Sequence, residues 1–238
     1  MILPSNVRRL DGGDNKTSNY TTVLPRSLEL SGNWEVALLE ITFPNSWYNV
    51  TEEENKIEIR IGVEEPAYYY INPGYYTVNL FLKSFKFSEE HAQLVYNNVG
   101  KRFRFDIAAG VTLTINKKLA IKLGFEEDVS LIGGKQGQSI FAINAPDLNA
   151  STHYLYVYSN IVKPSLVGDG FSEILRVINT DSATKSAYTN IQFQSPQYHV
   201  VKLNTIHAIN IKLFDDTAGP VKFTSGKSIV VLGFRRTY

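Results

Sequence analysis

The amino-acid sequence predicts an all-β fold, a single jelly-roll β-sandwich that carries a small inserted α/β module. Short segments of alternating apolar residues recur along most of the chain, and turn-forming residues separate them. The chain has 238 residues, of which 43% are hydrophobic, enough to bury the core of one large β domain with an insertion. We therefore expect an antiparallel sandwich with few helices.

The first elements in chain order are a polar segment and an apolar strand. Residues 1–19 include the turn-rich stretch DGGDNKTSN and show no hydrophobic periodicity, so we predict a flexible N-terminal arm. The stretch NWEVALLEITF at 33–43 is apolar on both alternating faces, which is typical of a strand covered by two layers. We assign residues 20–65 to the first part of the jelly roll.

The next strands alternate more simply. IEIRI at 57–61 places its three isoleucines on one predicted inward face, and FRFDI at 103–107 repeats this pattern with two phenylalanines and an isoleucine. Further strands are predicted at 112–115, 153–162, 173–178, 198–203, 207–214 and 228–234, with a short VKF strand at 221–223. Residues 138–238 complete the predicted jelly roll.

Only two segments have a helical pattern, and both fall in residues 66–137, the range predicted for the inserted α/β module. In TVNLFLKSF the apolar residues recur at i, i+3, i+4 and i+7, and Thr77 is a suitable N-cap. In NKKLAIKLG, Asn116 can cap the start, and Gly124 can adopt the left-handed conformation that ends a helix. We expect both helices to be short.

The stretch YYYINPGYY at 68–76 places five tyrosines around a Pro-Gly pair. Pro73 and Gly74 suit the centre of a type II turn, in which glycine adopts a positive φ, directly before the Thr77 helix start. The tyrosines then flank a strand-to-helix corner, with rings packed and hydroxyls near water. An aromatic platform for a ligand is the other interpretation, and the structural one is favoured.

Composition excludes several functional classes. The chain has no cysteine, so disulfides, thiolate metal sites and cysteine nucleophiles are absent. The formal net charge of +1 provides no long-range field for nucleic acid, and the isolated pairs Arg8-Arg9 and Arg235-Arg236 are interpreted as surface ion-pair donors. No apolar run is long enough for a signal-peptide core or a membrane span, so we expect a protein that is not secreted.

Motifs that carry chemistry are also missing. SGKS at 225–228 lacks the earlier glycine of a phosphate-binding loop and precedes a strand, and no GxSxG elbow occurs. The acidic runs at 52–54 and 126–128 lie in polar turns with no apolar pocket to raise a carboxyl pKa. The histidines, which have no metal-ligand spacing, are His91, His153, His199 and His207. We predict no enzyme, no cofactor, and no catalytic, cofactor-binding or metal-ligating residues.

Three ordered stretches resemble a known family. They are LPRSLELSGNWEVALLEITFPNSWYNV at 24–50, INPGYYTVNLFLKSF with LAIKLGF at 71–85 and 119–125, and the segments 155–178 and 206–236. The chain is similar in these stretches to the minor capsid (penton) proteins of Polinton (Maverick) elements and adintoviruses, and more distantly to virophage pentons. The resemblance implies a jelly roll that forms a homopentamer at the vertices of an icosahedral capsid and has no active site.

The resemblance also implies partners and a location. The expected partners are further copies of the chain, a double jelly-roll major capsid protein and a host surface receptor that contacts the insertion. The expected location is the virion, at the capsid vertex. The alternative function is a carbohydrate- or peptide-binding β-sandwich that uses the Tyr68 to Tyr76 stretch. A jelly-roll enzyme remains a third hypothesis, which requires two carboxyl groups from distant loops to meet in a cleft.

Overall fold

The computed structural model describes residues 1–7, 13–86, 90–126, 129–149, 152–180 and 186–237. Two compact units divide the chain. Unit 1 consists of residues 1–47 together with 151–238, and unit 2 consists of residues 48–150. The second unit is therefore an insertion into the first.

The elements of both units are numbered together in chain order. Before the insertion lie β1 (Ile2–Pro4), β2 (Asn19–Glu29) and β3 (Asn33–Pro44). Unit 2 contains β4 (Lys56–Ile61), β5 (Ala67–Tyr70), α1 (Val78–Ser84), β6 (Ala92–Asn97), β7 (Arg102–Ile107), β8 (Val111–Ile115), α2 (Lys117–Lys122), β9 (Val129–Ile132) and β10 (Gln138–Phe141). After it come β11 (Tyr154–Ser159), β12 (Ser165–Val167), β13 (Gly170–Ser172), β14 (Ile174–Asn179), β15 (Tyr188–Gln192), β16 (Tyr198–Val200), β17 (Thr205–Phe214) and β18 (Ile229–Thr237).

Unit 1 has the topology of a jelly roll. One sheet has the order β1-β18-β3-β15, with β16 also paired to β3, and the other has the order β14-β11-β17-β2. All these pairs are antiparallel. The chain crosses repeatedly from one sheet to the other, as the two Greek keys of a jelly roll require. The predicted fold class is confirmed, and the insertion lies between β3 and β11.

Strand β3 is the centre of the first sheet and is covered on both faces. Val36, Ala37 and Leu38 are consecutive and fully buried, as the apolar pattern of 33–43 predicted. Its neighbours contribute alternating buried residues, among them Val230 and Leu232 of β18. From the second sheet the core receives Leu155, Val157, Leu175, Ile209, Ile211 and Leu213. The two sheets thus share one largely aliphatic core.

Two hydrogen bonds fix which edges of the two sheets lie together. The Tyr20 hydroxyl of β2 donates to the Leu3 carbonyl of β1 over 3.1 Å. At the other side, the His199 Nε2 of β16 lies 3.0 Å from the Leu175 carbonyl of β14. The β1 edge therefore lies over β2, and the β16 edge lies over β14.

Unit 2 is built from two small antiparallel sheets and two short helices. The sheet orders are β5-β4-β8-β9 and β10-β7-β6. Phenylalanine rings connect the elements, with centroid distances of 5.3 Å between Phe85 and Phe105, 5.6 Å between Phe105 and Phe125, and 6.1 Å between Phe81 and Phe103. Edge-on and tilted ring pairs of this kind add to the burial of apolar area. The core of this unit is richer in aromatic contacts than that of unit 1.

The predicted helix caps are present. The Thr77 side chain accepts a hydrogen bond from the Leu80 N–H at the start of α1, and the Asn116 side chain accepts one from the Lys118 N–H at the start of α2. Gly124 follows α2 with a φ of +86°. A side chain there would collide with the Asn144 carbonyl oxygen, so both backbone conformation and space require glycine.

Several sequence-based expectations are corrected by the structure. The N-terminal arm predicted over 1–19 includes β1, which pairs with β18, because Leu3 buries its side chain in the core. Residues 221–223, predicted as a VKF strand, belong to no strand of the structure. The nearest β-bridge joins Phe214 and Pro220. Ile61 was expected to face inward, but it ends its strand and is exposed.

The bounds of the insertion also differ from the predicted 66–137. The strand at 56–61, which we assigned to the jelly roll, pairs with β5 and β8 of unit 2. At the other end, β10 pairs with β7 of the same unit. Alternation marks a strand but does not reveal which sheet it joins, so the insertion was placed too narrowly. With α1 and α2 at 7 and 6 residues, unit 2 is mostly β-structure.

Candidate interaction surfaces

The tyrosine-rich corner of unit 2 is mainly structural. The Tyr69 hydroxyl donates to the Ser84 carbonyl over 2.5 Å, which ties β5 to the end of α1. The Tyr76 hydroxyl donates to the Asn72 carbonyl over 2.6 Å, and its ring packs 5.8 Å from that of Phe81. The structural interpretation predicted the packed rings. It did not predict that the two hydroxyls donate to backbone carbonyls.

Asn49 holds this corner in place and was not identified from the sequence. Its side chain is buried and accepts a hydrogen bond from the Tyr76 N–H over 2.7 Å, while its amide donates to the Tyr76 carbonyl over 2.8 Å. The same amide donates to the Asn149 side chain over 3.0 Å, and Asn149 in turn donates to the Tyr75 hydroxyl over 3.1 Å. Both ends of unit 2 therefore meet at the corner.

The predicted type II turn at Pro73-Gly74 is wrong. Gly74 does not have a positive φ and instead forms a β-bridge with Val50. Its N–H donates to the Val50 carbonyl over 2.9 Å, and its carbonyl accepts from the N–H groups of Asn49 and Val50. The backbone is extended at Gly74 because a segment distant in sequence supplies its hydrogen-bond partners.

Two tyrosines remain exposed on the outer face of the sheet β5-β4-β8-β9. Tyr68 and Tyr70 alternate with the half-buried Tyr69, and 48% and 58% of their surfaces are accessible. The Lys56 ammonium group lies 3.6 Å above the centre of the Tyr68 ring, a cation–π contact. The two tyrosine rings, Lys56, the ion pair of Glu58 and Arg60, and the Thr112 and Thr114 positions of β8 thus share one face.

A second exposed aromatic surface lies on unit 1. Tyr154, Tyr156 and Tyr158 alternate along β11 with the buried residues of that strand, so their rings stand on the outer face of the sheet. The Tyr158 and Phe214 rings meet edge to face at 5.5 Å beside a pocket of about 290 Å³. Burial raises the pKa of Tyr158. The sequence analysis predicted this strand, but it did not identify the outer face that the three tyrosines form.

Of the two acidic runs, the structure describes residues 52–54 and Glu126. In the run at 52–54, Glu54 is buried and contacts the Lys122 ammonium group at 2.7 Å, and this group also donates to the Asn49 carbonyl over 2.6 Å. We expected solvated carboxylates here, so the burial of Glu54 is a correction. Its partner is a cation fixed on α2. Of the run at 126–128, Glu126 is exposed and the other two residues lie outside the described part of the chain.

His199 and His207 have different partners in the structure. His199 contacts the Leu175 carbonyl, and His207 Nδ1 lies 2.7 Å from the Ser27 hydroxyl. Within the residues that the structure describes, no group of three or more histidine, aspartate or glutamate side chains could hold a metal ion. The described helices are also too short and too polar to cross a membrane.

The basic pairs and the SGKS turn have structural environments. Arg235 forms a 2.7 Å ion pair with Glu35 and lies 3.6 Å above the Tyr198 ring, so the expected ion-pair role holds for this residue. Arg8-Arg9 lies outside the described residues. In SGKS, Gly226 has a φ of +89° and β18 follows, which confirms a turn before a strand.

Comparison with known proteins gives a likeness among solved structures and none by sequence. No protein-family description matches the chain, and no characterised protein matches it by sequence. Among solved structures, the crystal structure of the mavirus penton protein matches with a TM-score of 0.50 and 13% sequence identity. The match covers 98% of this chain and 97% of the penton chain. The fold is therefore like that of a viral penton protein, over the jelly roll and the insertion together.

Proposed function

We propose that the chain is a structural minor capsid protein, a penton, that forms homopentamers at the vertices of an icosahedral capsid. The observation that carries the proposal is the likeness to the mavirus penton, which extends over nearly the full length of both chains. The ordered sequence stretches that resemble Polinton and adintovirus pentons point to the same function. The protein acts by presenting and joining surfaces in the virion, and it is not an enzyme.

The chemistry of the surface suits such an assembly. A net charge of +1 limits the repulsion between identical copies that crowd around a fivefold axis. Exposed aromatic residues such as Tyr154 and Phe171 are the types enriched at the centres of protein interfaces. The partners in this proposal are other copies of the chain and a double jelly-roll major capsid protein.

Assembly of the purified protein tests this function. Light scattering and negative-stain microscopy are carried out on the protein alone and together with the major capsid protein from the same genome. We expect rings of five copies, or incorporation at the vertices of shells. A protein that stays monomeric in both conditions and never enters shells contradicts the proposal.

A second candidate function is attachment to a host glycan or peptide through unit 2. The exposed Tyr68 and Tyr70 rings and the Lys56 ammonium group favour it, because they combine apolar faces with a fixed cation. Tyr75 and Tyr76 are less suitable, since they hold the corner. A glycan array with the double variant Tyr68→Ala and Tyr70→Ala tests this site, and loss of a bound signal supports it. The matched control is Tyr75→Phe, which keeps the ring.

A further inference from the structure

Strand β18 has an edge that is only partly covered. On one side it pairs with β3 from Ile229 to Thr237, but on the other side β1 pairs only with Ile229 to Val231. Two hydrogen bonds between Met1 and Leu232, of 2.7 and 2.8 Å, extend this contact by one residue. Among the described residues, no strand pairs with the remaining part of this edge.

The uncovered backbone groups belong to Phe234 and Arg236. Ser228 and Leu232 direct their backbone groups toward β1, and in an antiparallel ladder every second residue points to the same side. The N–H and C=O groups of Phe234 and Arg236 therefore face the open edge. Such a row of unpaired groups is a template for an added strand.

The side chains beside this edge define what an added strand should carry. Phe234 lies on the same face as the buried Val230 and Leu232 but is only half-buried, so its ring is available to an apolar neighbour. Arg236 is exposed and forms no ion pair within the described chain, whereas Arg235 is paired with Glu35. The edge therefore favours an apolar residue opposite Phe234 and an acidic residue opposite Arg236.

The β12-β13 hairpin carries that pattern. Leu166 and Phe171 are cross-strand partners, and 68% and 77% of their surfaces are exposed. The exposed Asp169 lies in the hairpin turn, two residues before Phe171, and forms no ion pair with any described residue. The hairpin joins neither main sheet of unit 1, and an isolated two-stranded ribbon is only marginally stable in water.

We propose that β13 of one copy adds to the open edge of β18 in the next copy, with Phe171 opposite Phe234, which brings Asp169 of the hairpin turn beside Arg236. The pairing is antiparallel and continues the direction of β1. Main-chain hydrogen bonds hold the added strand, while the ring contact and the ion pair fix its register. This inference rests on the proposed function, since it supplies the contact that closes the ring.

The two surfaces lie on opposite sides of unit 1. The open edge of β18 is on the β1 side of its sheet, and the hairpin precedes β14, the last strand at the far side of the other sheet. The cross-sheet hydrogen bonds of Tyr20 and His199 place these two sides apart. A cyclic ring needs this arrangement, in which one surface of each copy binds a different surface of its neighbour.

Disulfide trapping tests the register directly, because the chain contains no cysteine. Directly opposed residues of an antiparallel pair have Cα atoms about 4.5–5.5 Å apart, within the range that a disulfide spans. The double variant Phe171→Cys and Phe234→Cys should give a covalent ladder up to the pentamer on non-reducing gels. The matched control, Val99→Cys with Phe234→Cys, places a cysteine at a valine of unit 2 that is even more exposed than Phe171, and it should give no ladder.

Charge reversal tests the ion pair. Asp169→Lys and Arg236→Asp should each weaken assembly by roughly 10-fold, and the double variant should restore it. Asp169→Lys combined with Arg26→Asp, which changes another exposed arginine, should not restore it. Phe171→Asp should weaken assembly by about 30-fold or more, as expected for an aromatic anchor, whereas Val99→Asp should leave the particle mass unchanged.

The outcomes separate this inference from the proposed function. Rings that form without the covalent ladder, and that tolerate Phe171→Asp, overturn the strand addition but leave the penton function intact. A ladder that joins the chain to the major capsid protein and not to itself overturns the choice of a second copy. A wild-type protein that never assembles, with or without the major capsid protein, contradicts both.

Discussion

The two units of this chain bury their cores by different means. Unit 1 uses long strands, β3 with 12 residues and β17 with 10, whose alternating aliphatic side chains fill the space between two sheets. Unit 2 uses strands of at most six residues and two short helices, and it adds phenylalanine clusters and a buried ion pair. Each short element buries little apolar area. In unit 2, large aromatic rings and specific polar contacts supply the stabilisation that long strands provide in unit 1.

The largest expected effect comes from the buried ion pair of unit 2. Lys122→Met leaves the Glu54 carboxylate buried without its cation, and we expect a loss of about 3–5 kcal/mol in the free energy of unfolding. Amide hydrogen exchange of residues 111–125 measures the change in unit 2. Both tryptophans of the chain, Trp34 and Trp47, lie in unit 1, so tryptophan fluorescence reports that unit separately.

The control for this prediction removes both charges. Glu54→Leu combined with Lys122→Met should be much less destabilising than Lys122→Met alone, because no charge then remains buried. Equal losses in the free energy of unfolding for the single and the double variant would show that the ion pair is not the reason that this region is ordered. A simultaneous shift of the tryptophan signal would show that the two units do not unfold separately.

An intermediate effect is expected at the corner of unit 2. Asn49→Ala removes the partners of the Tyr76 backbone and of the Asn149 side chain, and we expect a loss of about 2 kcal/mol. Thermal unfolding followed by circular dichroism gives the change. Asn97→Ala, which alters an exposed turn of the same unit, is the matched control. An unaltered melting temperature in Asn49→Ala would show that the tyrosine corner does not depend on Asn49.

The smallest effect is expected in unit 1, at the contact between β2 and β1. Tyr20→Phe removes the hydrogen bond to the Leu3 carbonyl and should cost about 1 kcal/mol near neutral pH. Tyr154→Phe, at an exposed position of the same unit, should have no effect. Urea unfolding monitored by tryptophan fluorescence measures both variants.

The same substitution gives a pH test. Burial raises the pKa of Tyr20 above its ordinary value of 10.0, and a hydrogen bond with Ser228 acts in the opposite direction to a smaller extent. The folded state therefore retains the phenolic proton that the unfolded chain loses near pH 10. The stability from Tyr20 is complete below about pH 10 and is lost as the pH rises further. Stability should decline less steeply above pH 10 in Tyr20→Phe, and an identical slope in both proteins contradicts this assignment.

Local patterns predicted many of the elements correctly. The strand at 33–43, the two capped helices and the final strand were all predicted, because alternation, capping residues and a C-terminal glycine act within a few positions. The N-terminal β1 was not predicted, because a strand of three residues is too short to show the alternation of inward and outward side chains. The extended Gly74 was missed because its partners come from Val50.

The candidate surfaces were less accessible to sequence analysis. The five tyrosines of 68–76 looked alike in the sequence, yet Tyr69 and Tyr76 bond within unit 2 and Tyr68 and Tyr70 face outward. The edge of β18 cannot be recognised from its residues, because it depends on how far β1 extends along its neighbour. The buried Glu54 was taken for a solvated carboxylate, since Lys122 is distant in the chain.

By itself, the sequence determined the all-β class, many but not all of the jelly-roll strands, the helix caps and the absence of cysteine chemistry. Those properties follow from side-chain periodicity and from residue type, which act over a few neighbouring positions. Only the tertiary structure decided the bounds of the insertion, the partner of Glu54, the outward tyrosines and the open edge of β18. Each of these depends on which distant strands become neighbours, and sequence spacing does not carry that information.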